Sequence, residues 1–187
     1  MTLSRRVLLQ TTVSAVGAGV WTAAAGQGAA GFGTRGVLEY QDPRLGGRLP
    51  RRTWELAWAP PGGDPSVFGP LRDPKWNREF PQRLEVFCPA ADVTMPRPPR
   101  FVIHTSEPGD ARLALRCGAA LAHLYWAGAD YLGRAHSRPV QVWLAREGEA
   151  GGELYRDQIY LFAVQEARSP VEWLRELAHE YSHLLLP

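Results

Sequence analysis

Arg175-Glu176-Leu177-Ala178-His179-Glu180-Tyr181-Ser182-His183-Leu184-Leu185-Leu186-Pro187 is the stretch on which the chain turns, because it holds the pattern His179-Glu180-x-x-His183. On an α-helix, positions four apart lie on one face, one turn above the other. Two imidazoles placed that way suit a single zinc ion. Glu180, about 100° further round the helix, stands beside the metal and can take a proton from a bound water. The preceding residues favour a helix here. Ser169 suits the N-cap, Pro170 the first helical position, and Glu172 the capping box. Trp173, Leu177, Glu180 and Leu184 then fall near one stripe, while His179 and His183 share another with Glu172 and Glu176. Glu176, one turn before His179, leans towards the N-terminus. It is read as an acceptor behind His179 rather than as a ligand.

Working outward from that helix, residues 100–105 read as a strand and residues 110–132 as a helix. The helix carries an apolar stripe of Leu113, Cys117, Leu121, Leu124, Gly128 and Leu132. Val140–Leu144 is the next strand, residues 146–153 read as a charged, Gly-rich loop, and residues 157–164 form a further strand. His104 closes a strand and is expected to be a hydrogen-bonded structural histidine. His123 lies off the helix stripe, and His136 sits in a turn.

The pattern H-E-x-x-H resembles the zincin metallopeptidases. The order strand, long helix, strand, strand, motif helix is similar to the N-terminal lobe of the gluzincin-type zincins. The resemblance implies an α+β fold: a zincin-like lobe with a mixed β-sheet, a backing helix and the motif helix, preceded by a strand- and loop-rich region. It implies Zn2+ held by His179 and His183, with Glu180 as the general base that activates water against a peptide bond. It also implies that the strand before the motif helix, with Ile159, Tyr160, Leu161 and Phe162, forms the edge of the cleft. There it would pair antiparallel with an extended peptide or protein substrate. A catalytic zinc needs three protein ligands and an open position for water. The family supplies the third from further downstream. The upstream His104, His123, His136 and Glu166 are not made ligands by sequence alone. The lobe is therefore expected to be incomplete, the front part of a longer protein.

The N-terminus carries an address. Ser4-Arg5-Arg6-Val7-Leu8-Leu9-Gln10 looks like a twin-arginine export signal. An apolar run follows to Trp21, and Ala23-Ala24-Ala25 offers a small-residue cleavage site. Such a signal implies a prokaryotic, periplasmic or extracellular protein, with residues 1–25 removed. The apolar run is short for a membrane span, which needs about 20 residues, so no stable span is expected after cleavage. Without residues 1–25, 19 basic and 19 acidic side chains remain. That balance leaves no cationic stripe for nucleic acid. Cys88 and Cys117 are read either as one disulfide or as two separate buried thiols.

Residues 26–36 are Gly- and Ala-rich and read as a flexible mature start. Residues 37–95 form a strand- and loop-rich region, with strand signals at 37–40, 54–58 and 83–88. Residues 100–187 form the lobe that ends at the metal-binding helix. The tryptophans Trp54, Trp58 and Trp76 suit ordinary packing better than sugar stacking. A second reading of the whole chain remains: an exported, non-catalytic binding or structural domain that recognises a glycan or a protein. The sequence does not determine the oligomeric state.

Overall fold

The computed structural model describes residues 8–15, 19–26, 35–41, 52–60, 80–87, 100–165 and 170–186. Among these described residues, nine strands form one sheet: β1 (Leu8–Ala15), β2 (Gly19–Gly26), β3 (Arg35–Gln41), β4 (Arg52–Ala59), β5 (Gln82–Phe87), β6 (Phe101–Thr105), β7 (Val140–Leu144), β8 (Gly151–Tyr155) and β9 (Gln158–Phe162). Two helices join them, α1 (Ala111–Leu132) after a single 3₁₀ turn at Pro108–Asp110, and α2 (Pro170–Leu185). The spatial order is β1-β2-β3-β4-β5-β6-β7-β9-β8. Pairing is antiparallel from β1 to β6, parallel across β6-β7-β9, and antiparallel between β9 and β8. This is a mixed α+β fold with a mixed sheet and two helices, as the sequence suggested at that level.

Alternation along the strands sorts side chains to the two faces. One registered row runs Trp58, Leu84, Ile103, Val142, Ile159 and Leu154. It faces both helices and belongs to the main core with Leu113, Cys117, Leu121, Trp173, Leu177 and Tyr181. Every residue of β6 is buried, as expected of a central strand with cover on both faces. The opposite face carries a second cluster of Phe80, Trp143, Ala145, Tyr160 and Phe162. His104 lies between the clusters' strands, stacked on Trp143 with ring centroids 3.7 Å apart.

Trp54 and Trp58 are buried in the main core, and Trp54 packs against Phe101, Tyr125 and Trp126. They are core residues with no face offered to a sugar. Trp76 and Cys88 lie outside the described residues. Cys117 is a free, buried thiol, whose pKa burial pushes up. It does not form the disulfide that was one of the two alternatives.

Several sequence-based boundaries move. Residues 151–153, read as the end of a loop, form β8 together with residues 154 and 155. The two glycines and Glu153 there hide a strand that pairing with β9 defines. β9 ends at Phe162 because Ala163 turns to φ 54°. Leu132, placed on the buried stripe, is 58% exposed at the end of α1. The buried face of α1 is also wider than one stripe, adding Ala114, Ala122, Tyr125 and Trp126, because the helix packs on both the sheet and α2. β4 and β5, from the strand-rich region, pair directly with β6 of the lobe, and the three share one core.

Leu8–Ala15 and Gly19–Gly26, within or at the end of the segment read as an export signal, stand paired antiparallel, and β2 pairs with β3. Of the stretch expected to be flexible, Gly26 closes β2, residues 35 and 36 open β3, and residues 27–34 lie outside the described residues. No helix among the described residues is long and apolar enough to cross a membrane.

Candidate metal centre

α2 begins at Pro170, the first-turn position where a missing N–H costs nothing. The expected cap, Ser169, lies outside the described residues. Trp173, Leu177 and Tyr181 are buried against the core, and Leu184 is half-buried. Burial also raises the pKa of the Tyr181 hydroxyl. Glu172, Arg175, His179 and His183 lie along the opposite side, and all four are exposed. The helix is thus amphipathic at the predicted phase, with Glu180 on its core-side edge, only 8% exposed.

His179 and His183 point at each other. Their Nε2 atoms are 3.3 Å apart, with ring centroids 4.8 Å apart and planes at 86°. Zn–N bonds of about 2.0–2.1 Å in tetrahedral geometry hold two nitrogens about 3.3–3.4 Å apart. The two imidazoles therefore have the spacing and the nitrogen donors that a zinc ion takes. The same separation also permits one imidazole N–H to donate to the other ring. Ser182 Oγ donates to the His179 carbonyl at 2.6 Å, within the same turn.

A cleft of about 560 Å³ opens beside this pair, lined by Gly152, Glu172, Arg175, Glu176, His179 and Glu180. β8 forms one wall and α2 the other. Glu176, expected behind His179, is half-buried in the same wall. The structure therefore lines the cleft with His179, Glu180 and Glu176, and sets His183 against His179. It does not bring Ile159, Tyr160, Leu161 and Phe162 to an edge. β9 is hydrogen-bonded on both sides, to β7 and to β8. All four side chains are buried, Ile159 and Leu161 under the helices and Tyr160 and Phe162 on the opposite face. The expectation of an edge strand at 159–162 is corrected: β8 takes that place in the sheet. The available signal was the Gly151-Gly152 pair, since glycine inside a strand marks a close backbone approach.

The other histidines stand apart from the pair. His104 is 1% exposed, and its Nε2 donates to Gln141 Oε1 at 2.7 Å. Burial lowers its pKa to about 4, helped by the nearby Arg83 and opposed by the Gln141 bond and Glu85. It is neutral and structural at pH 7. His136 Nε2 lies 3.1 Å from Asp157 Oδ1 and helps close the turn before β7. His123 is half-buried on α1. Among the described residues, no group of three His, Cys, Asp or Glu side chains is placed to hold one metal ion. Comparison of the chain with protein-family models, with curated proteins and with solved structures finds no match in any of the three.

Proposed function

We propose that this chain is an exported zinc metallopeptidase or its N-terminal portion. The observation that carries the reading is the 3.3 Å approach of His179 Nε2 and His183 Nε2 on the outer face of α2, at the mouth of a cleft that also holds Glu180. Bound zinc would polarise a peptide carbonyl and lower the pKa of a water molecule. The chain's own groups do the rest. His179 and His183 bind through neutral Nε2. Glu180 accepts the proton of the attacking water and passes it to the leaving amine. Glu176 fixes the orientation of His179 as an acceptor. β8, at the end of the sheet and along the cleft, offers main-chain groups to an extended substrate. The third protein ligand comes from outside the described residues. The zincin-like lobe of gluzincin type is the finer form of the mixed α+β fold that this reading adopts. The reading also keeps export through the Arg5-Arg6 signal and processing near residue 25.

A second reading draws on the two-histidine site itself, which among the described residues gathers no third ligand. In it, the chain is an exported binding or structural domain that keeps the helix without the chemistry. Zinc content after dialysis separates the two. One zinc per chain, lost in His179→Ala and retained in Glu180→Ala, is expected for the enzyme. Absence of stoichiometric zinc from the full natural protein would sink the peptidase reading and leave the binding domain.

A further inference from the structure

Glu180 is buried, yet no hydrogen bond or ion pair holds it among the described residues. Among the described residues its direction is set by packing, and β8 packs against it at Gly152. A Cβ built on Gly152 would stand 2.9 Å from Glu180 Cγ and 3.3 Å from Glu180 Oε1. It would also stand 3.0 Å from Cδ2 of Leu161, the residue paired with Gly152 across the β8–β9 ladder. Carbon atoms pack best at about 3.5–4.0 Å, so a methyl group there has no room unless Glu180 or Leu161 moves.

Glycine at this position is not a demand of the backbone. Gly133 and Gly148 have positive φ, whereas Gly152 does not. Any residue can adopt its conformation, and most strengthen a strand more than glycine does. What the position needs is space. Filling that space is a change on β8 that reaches Glu180 without touching either histidine.

We propose that Gly152 is a positioning residue for Glu180: its missing side chain leaves the slot between β8 and α2 that holds the carboxylate at the cleft, beside the His179–His183 pair. This rests on the peptidase reading, in which Glu180 is the proton acceptor. The role is steric and acts through Glu180, with no contact to the reacting atoms. A general base displaced by about 1 Å costs on the order of 100-fold in rate. Binding of substrate along β8 and binding of zinc by the two histidines are left intact.

The test has an arm that needs neither zinc nor turnover. Thermal unfolding of the metal-free protein is measured for wild type, Gly152→Ala, Glu180→Ala and the double variant. Gly152→Ala is expected to lower Tm by several degrees in the wild-type background. In the Glu180→Ala background, where Cγ and Oε1 are gone, the loss is expected to be much smaller. Equal losses in the two backgrounds overturn the proposal. If Gly152→Ala does not fold, recovery of folding in the double variant supports the contact, and failure to recover overturns it. The second arm loads the full natural protein with zinc sulfate and follows cleavage of labelled casein. Gly152→Ala is expected to keep one zinc per chain and the wild-type KM while kcat falls about 100-fold. An unchanged kcat overturns the role of Gly152 alone. Absence of zinc from the wild type overturns the underlying reading, whatever the unfolding cycle shows.

Discussion

Acidification should destabilise this protein through His104, and the size of the effect follows from where that ring sits. His104 is sealed between strands, stacked on Trp143 and bonded to Gln141. Burial holds its pKa at about 4, against 6.5 for an ordinary histidine. The unfolded chain therefore binds more protons than the folded chain between those values. Stability is fully present above the unfolded value, falls as pH drops through the window, and levels off below the folded value. One such group loses about 2 kcal/mol between about pH 7.5 and about pH 5, and about 3 kcal/mol once both states are protonated. Other carboxylates and histidines also titrate over this range, so the diagnostic is a difference. His104→Gln removes the titration and retains an amide that can meet Gln141. Urea unfolding of both proteins at the two pH values is the assay. The variant is expected to be the less stable at neutral pH, and the gap should close by about 2 kcal/mol at the acidic value. Parallel losses in the two proteins would refute the assignment of the buried, neutral imidazole.

Three further outcomes follow from the packing. Gly118→Ala places a Cβ 2.9 Å from Val86 Cγ2 and 3.3 Å from Ile103 Cδ1; overpacking of about 1–3 kcal/mol should outweigh the helix-propensity gain of about 1 kcal/mol, and a stabilised variant in urea unfolding would contradict this. Arg146 pairs in bidentate fashion with the buried Asp110. Arg146→Ala strands that buried carboxylate and should cost about 3 kcal/mol, clearly more than Asp110→Ala, which removes one partner from a part-exposed guanidinium; equal losses in denaturant titrations would refute the asymmetry. Free zinc at about 100 times its Kd should stabilise the wild type by about 2.7 kcal/mol and leave His183→Ala unmoved, a contrast that differential scanning calorimetry reads directly.

The motif helix was legible because its information is local. A proline start, an apolar phase and two histidines four apart are all properties of one segment, and α2 carries them at the expected positions. β6, α1 and β7 were legible for the same reason. β8 was not. Gly151, Gly152 and Glu153 have poor strand propensity, and what makes them a strand is the ladder to β9 and the packing of α2 on the backbone. Both are contacts between segments, which no window of sequence contains. Missing β8 also put the wrong strand at the edge, since a hairpin returning inside its own first arm reverses the order that chain sequence suggests. His104 shows the opposite case. Its place near the end of a strand was readable, and the bond to Gln141 gives that reading its partner.

Among the described residues β8 ends the sheet, and that position has a cost in solution. A strand with one unpaired side is a template for any extended chain, including a second copy of itself, and such self-pairing seeds aggregates. β8 is five residues long, carries two glycines and Glu153, and is followed by Arg156, whose guanidinium covers the Tyr155 ring from 5.3 Å. Each of these weakens pairing between like chains through low intrinsic strand preference, charge, or shielding of the exposed aromatic. Substitutions that make β8 a better strand, such as valine for Gly151 or Glu153, should therefore trade colloidal stability for order. Their signature is light scattering that rises with protein concentration.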